Sequence, residues 1–137
     1  MSSPNKRKGD VAERAVRDLA TSRYPGSFKT RAGFNDDLGD VIVSHPAGRL
    51  VLQVKDVASP SWKSWRGQLA DQVNVCRNES ETNVVGGVIV HKYRGHSDPS
   101  SWHAVTSLGD LLDLLDEVYE AGERAGWYQA TGEHHDH

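Results

Sequence analysis

The sequence predicts an α/β fold: a single mixed β-sheet flanked by helices. Three observations carry this. Helical and strand-like stretches alternate along the chain. Two β-rich runs flank the loop Ser44-His45-Pro46-Ala47-Gly48, which reads as a hairpin turn. A helical stretch then separates the second of these runs from the short apolar segment Val84-Val85-Gly86-Gly87-Val88-Ile89-Val90, so the sheet can continue by a parallel crossover.

Each element has its own signal. From Gly9 to Ser22, Val11, Ala12, Ala15, Val16, Leu19 and Ala20 form one apolar arc at 100° per residue, with Glu13 at its edge. Tyr24-Pro25-Gly26 stops this helix, and a short strand is expected around Ser27–Arg31. The polar loop Gly33–Gly39 leads into strands at about 40–44 and 49–56. Ser59-Pro60-Ser61 starts a helix over 61–79 with Trp62, Trp65, Leu69, Gln72, Val73 and Cys76 on one stripe. The run Thr82–His91 is short enough to be a buried strand, and Trp102–Val105 predicts another. Ser107-Leu-Gly-Asp110 has the form of a capping box and opens a leucine-rich helix through Tyr119. The order is α-β-β-β-α-β-β-α. Residues 1–125 read as a single domain, and 126–137 as a flexible acidic tail containing histidines.

Composition narrows the class. With 137 residues, 36% hydrophobic and 26% charged, the chain suits one soluble domain. No apolar run spans a bilayer and the N-terminus has no signal-peptide core, so a cytoplasmic location is expected. Cys76 stands alone, which excludes an intrachain disulfide and a cysteine zinc site. His91, His96 and His103 have no zinc spacing. The net charge of −3 hides an asymmetry: residues 1–105 carry fifteen Lys/Arg and eleven Asp/Glu, a balance of +4, whereas 106–137 carry one and eight, a balance of −7. A basic body can still present a positive surface to phosphates.

The chemistry-bearing pattern is Asp40, at the start of one hairpin strand, and Gln53-Val54-Lys55 on the other. Gln53 and Lys55 are two apart and must share a face. An acid, a neutral oxygen donor and a cation on one face suit a divalent metal beside a phosphate, and hence phosphodiester hydrolysis. Singly, the residues have plainer readings. Asp40 reads as a turn acid, Lys55 as a solvated lysine, Glu13 as a surface partner of Arg17 and Gln72 as a buried amide. Gln53, between Leu52 and Val54 of a central strand, must find a partner.

A helix with Glu13, a hairpin with Asp40, a strand with Gln53-x-Lys55 and a following helix together resemble the PD-(D/E)XK nuclease superfamily. Within it, the spacing looks most like the small archaeal and phage Holliday junction resolvases, whose basic N-terminus, glycine and Glu-Arg correspond here to Lys6-Arg7-Lys8-Gly9 and Glu13-Arg14. The resemblance covers about residues 6–92. It departs at Gly39, where proline is frequent, and at Gln53, where glutamate is usual and adds negative charge. It implies a restriction-endonuclease-like core (αβββαβ) and a Mg²⁺-dependent endonuclease in which Mn²⁺ can substitute. The metal would be held by Asp40, the Gln53 amide oxygen, the Val54 carbonyl and Glu13, with Glu13 alternatively orienting a water. Lys55 would stabilise charge developing on the phosphate. DNA contacts are expected from Lys6, Arg7, Lys8, Arg31, Lys63, Arg66, Gln68 and Gln72. Branched DNA in the form of four-way junctions is the expected substrate and a homodimer the expected assembly, because symmetric cutting needs paired sites. The rivals are a restriction- or repair-type nuclease on linear duplex, and a non-catalytic DNA-binding module with the same fold.

Overall fold

A computed structural model describes residues 4–30, 41–79 and 82–128, with side chains from Lys8 onward in the first stretch. Helix α1 (Pro4–Arg23) precedes strands β1 (Phe28–Lys29), β2 (Val41–His45) and β3 (Gly48–Lys55). Helix α2 (Trp62–Glu79) leads to β4 (Val84–His91). A 3-10 turn (Pro99–Ser101), β5 (His103–Val105) and α3 (Leu108–Ala125) complete the order. The strands form one sheet in the order β1-β2-β3-β4-β5. All neighbours are antiparallel except β3 and β4, which run parallel because α2 carries the chain across one face between them.

Strand alternation divides the sheet into two cores. On one face Val41, Val43, Leu52, Val54 and Val90 meet Ala12, Val16 and Ala20 of α1, with Trp102 closing the edge. On the other, Ile42, Val51, Val84 and Ile89 meet Trp65, Leu69, Val73 and Cys76 of α2. Two faces covered by helices favour near-continuous apolar runs in β3 and β4; β4 reads so, and β3 does over residues 50–54 except at Gln53.

Some boundaries move from their expected places. The first helix begins at Pro4 rather than Gly9, since proline is tolerated in an opening turn. Val11, offset by about 100° from Ala12, is 58% exposed and leaves the arc to Ala12, Val16 and Ala20. Strand β1 is only two residues long. Its anchoring is done instead by the buried Ser27 hydroxyl, which donates to the Tyr24 carbonyl (2.8 Å) and accepts from the Ser44 amide (2.9 Å). At the other end, Ser107 caps α3 by accepting from the Asp110 amide at 3.1 Å, as the capping signal predicts. Gly126 ends α3 in the left-handed conformation, and Trp127 and Tyr128 fold back over Gly122. The domain therefore extends to Tyr128. The rest of the expected tail lies outside the described residues. No described helix is long and apolar enough to cross a membrane.

Gly48 closes the hairpin with φ of 141°, and a Cβ there would lie 2.5 Å from the Asn83 carbonyl oxygen. Gly67 in α2 has nothing within 4 Å of the same position. The two sites should respond with opposite signs in thermal or urea melts. Gly48→Ala should cost about 1–3 kcal/mol through strain and the clash. Gly67→Ala should add about 0.5–1 kcal/mol through helix propensity.

Candidate active site on the helix-covered end of strand 3

The parity that buries Val51 under α2 sends Gln53 and Lys55 to the same face. Gln53 is 2% exposed, while Lys55, at the strand end, is half-buried. In the ladder Gln53 lies opposite Ile89 and Lys55 opposite His91 on β4. On the β2 side, Val41 lies opposite Leu52, so the described part of β2 stops one residue short of a partner for Gln53.

Helix α2 supplies the polar surroundings. Gln68 and Gln72 are one turn apart and face the sheet end. The Gln53 Nε2 donates to Gln72 Oε1 at 3.0 Å and, more weakly, to Gln68 Oε1 at 3.4 Å. Lys55 Nζ donates to the same Gln68 oxygen at 3.3 Å. Thus one glutamine oxygen touches both side chains singled out on β3. The Gln53 Oε1, by contrast, is buried and has no hydrogen-bond partner among the described residues. A buried carbonyl left in that state costs about 1–3 kcal/mol, so the position is held at the expense of stability.

An aromatic wall stands beside the lysine. Lys55 Nζ lies 5.5 Å from the Trp65 ring centre, a cation–π distance. His91 packs against Trp62 and Trp65, with ring centroids 5.4 and 5.6 Å away, and its Nε2 lies 2.7 Å from the Val57 carbonyl oxygen. Trp65 is buried, as its place on the apolar stripe predicts, whereas Trp62 is 37% exposed and forms the outer part of the wall. Cys76 sits in the α2 core, where burial pushes its thiol pKa up and leaves it a poor nucleophile.

From Lys55 a groove of about 420 Å³ runs past Val54, Asp56 and Val57 to Lys8 and Arg94. Its one acid among the described residues, Asp56, is paired with Lys92 at 3.6 Å. Lys8, Lys55 and Arg94 thus line one groove, and cations of this kind contact a phosphate backbone. Arg94 and His91 escaped the sequence reading. Their signal was the basic and aromatic run His91-Lys92-Tyr93-Arg94 directly after an apolar strand.

The other expected site residues fall elsewhere. Asp40 and Arg31 lie outside the described residues. Lys6 and Arg7 fall in α1, with side chains outside the described part. Glu13 pairs with Lys29 at 3.4 Å, not with Arg17, which pairs with Asp18. Its helix packs on the sheet face opposite Gln53 and Lys55. On α2, Arg66 is offset by roughly 160° from Gln68 and lines a separate groove with Arg77, Asp110 and Asp113. Lys63 is exposed on α2 and lines a shallow groove with Trp62, Ser64 and Gln68. The structure therefore gathers Gln53, Val54, Lys55, Gln68, Gln72 and Lys8 at one end of the sheet, with Lys63 in a shallow groove adjoining Gln68, and does not bring Arg66 into that cluster. Among the described residues no group of three or more His, Cys, Asp or Glu side chains could hold a metal ion. Any such site draws on residues beyond them or on amide and carbonyl oxygens. The unpartnered Gln53 oxygen fits a hard cation, for which oxygen donors are the preferred ligands.

If Gln53 is kept for chemistry, removing its polarity should stabilise the fold. Gln53→Met is of similar volume and removes the orphan oxygen, while Gln68 and Gln72, exposed and half-buried, can turn the amide oxygens it releases to water. It should raise the thermal midpoint by a few degrees, the equivalent of about 1–2 kcal/mol. A lowered midpoint would show that the amide is there for packing and hydrogen bonding alone.

No family model matches this chain, and neither does any curated protein or solved structure.

Proposed function

We propose that this protein is a metal-dependent DNA endonuclease that hydrolyses phosphodiester bonds, with branched DNA such as the four-way junction as its substrate. In this reading it acts in the cytoplasm as a homodimer. The observation that carries the proposal is the Gln53 carbonyl oxygen, buried and unpartnered among the described residues, two residues from Lys55 on the same strand face. Asp40 is bonded to Val41, which lies opposite Leu52. Asp40 itself lies outside the described residues and enters this reading by its place in the sequence.

In this reading Asp40, the Gln53 oxygen and the Val54 carbonyl would hold Mg²⁺ or Mn²⁺. When bound, the cation would supply positive charge to the phosphodiester and acidify a water. Lys55, held by Gln68 and lying over Trp65, would supply a cation where charge develops on the phosphate. Lys8 and Arg94 extend that charge along the groove and position the backbone without reading bases.

Helix α3 supports the assembly. Leu108, Leu112, Leu115 and Tyr119 are 71%, 51%, 57% and 50% exposed. Their spacing of four, three and four residues makes them one apolar seam. Asp113, Asp116, Glu120 and Glu123 flank it.

Purified protein incubated with labelled four-way junction and Mg²⁺ or Mn²⁺ should cut it, and EDTA should stop the reaction. Asp40→Ala and Lys55→Ala should each reduce the rate by about 10²-fold or more with an unchanged melting curve. Full activity in either purified variant would remove the site assignment. Cutting of matched linear duplex at the same rate would shift the substrate to ordinary duplex.

Light scattering at micromolar concentration should give twice the chain mass of 15.1 kDa. Leu112→Lys with Leu115→Lys should give monomer with an unchanged circular dichroism spectrum. A wild-type monomer, with and without DNA, would contradict the dimer.

A further inference from the structure

The amide of Gln53 has two ends, and the structure treats them differently. Its nitrogen is committed to two glutamine oxygens of α2, at 3.0 Å and 3.4 Å. Its oxygen is buried without a partner among the described residues. An amide in a slot free to accept either orientation would turn so that its carbonyl met a donor. Here Gln68 and Gln72 both present oxygens to it, and only Nε2 can satisfy them. We propose that Gln72, assisted by Gln68, is a positioning residue: it fixes the Gln53 amide with its oxygen turned away from α2 and toward the metal site. This rests on the reading of that site as a divalent-cation site.

The device follows from the neutral residue at position 53. A carboxylate has two equivalent oxygens and presents one to a cation whichever way it turns. An amide presents its oxygen in only one of two orientations, so it needs acceptors behind it. Gln68 adds a second constraint, because its oxygen also accepts from Lys55 Nζ at 3.3 Å. The spacing between the Gln53 ligand and the Lys55 cation is thereby referred to one atom on α2. Outer partners of this kind typically change metal affinity by about 10- to 100-fold when removed.

The test is a double-substitution cycle on the full chain, read by Mn²⁺ calorimetry without DNA. Gln53→Leu and Gln72→Leu should each weaken Mn²⁺ binding by about 10-fold, and the double variant should be no weaker than Gln53→Leu alone. Additive losses overturn the proposal, because Gln72 would then act on the cation independently of Gln53. Unchanged binding in Gln72→Leu alongside weakened binding in Gln53→Leu overturns the proposal but leaves the cation site standing. Unchanged binding in both removes the cation site, and the proposal with it. A second readout needs no metal and survives if Gln72→Leu fails to fold. In ¹⁵N NMR spectra the Gln53 side-chain NH₂ should keep its shift and slow exchange in Gln72→Glu, which retains an acceptor. It should lose both in Gln72→Lys, which can only donate and would turn the amide over. Identical NH₂ signals in Gln72→Glu and Gln72→Lys overturn it.

Discussion

Everything at the candidate site depends on β3 pairing with a strand on each side. Its antiparallel partner β2 arrives through a tight turn, and its parallel partner β4 only after α2 has crossed one face. That crossover covers the face carrying Val51, Gln53 and Lys55, and the same helix supplies Gln68 and Gln72 one turn apart. If α2 lay on the other face, Gln53 would meet apolar side chains or water, and Lys55 would have no oxygen to lean on. Strand parity and the hand of one crossover therefore position the whole cluster.

The cluster is built against the stability of its own surroundings. Val51, Ile42 and Ile89 are almost wholly buried and make the best core of the sheet, and Gln53 sits among them. A fold selected for stability alone would place another aliphatic residue there. Keeping an amide whose oxygen has no described partner is the kind of local inconsistency found where binding or catalysis constrains the sequence. The two donated bonds from Nε2 offset part of the burial cost, and the remaining oxygen is what a cation would take up.

Charge is partitioned along the same lines. The cations near the candidate site come from three separate elements: Lys8 from α1, Lys55 from β3 and Arg94 from the segment after β4. Six acids and a single arginine belong to α3, which follows β5 on the far side of β4. A net charge of −3 thus coexists with a groove whose only acid among the described residues is already paired. Net charge says little about such a surface, because phosphate contacts respond to local fields within about 10 Å at ordinary ionic strength.

Much of this was legible in the sequence, for a definite reason. Hydrophobic periodicity reports which face of an element is buried, so the element order, the hairpin, the helix cap at Ser107 and the shared face of Gln53 and Lys55 followed from local patterns. Gln53 announced itself as a polar residue between two apolar neighbours. What periodicity cannot encode is which element covers which face. Gln68 and Gln72 read as cleft-lining amides or backbone partners, and only the packing of α2 on β3 made them the acceptors of Gln53 and Lys55. Glu13 was expected near the metal, but α1 packs on the opposite face and Lys29 engages it. Arg66 shared the basic, aromatic look of its neighbours, yet one helical rotation sent it into a different groove. Arg94 lay in an unremarked loop until the parallel register of β3 and β4 brought the chain after His91 beside Lys55. Local physics set the faces of each element; long-range pairing, which no short window of sequence contains, decided which faces met.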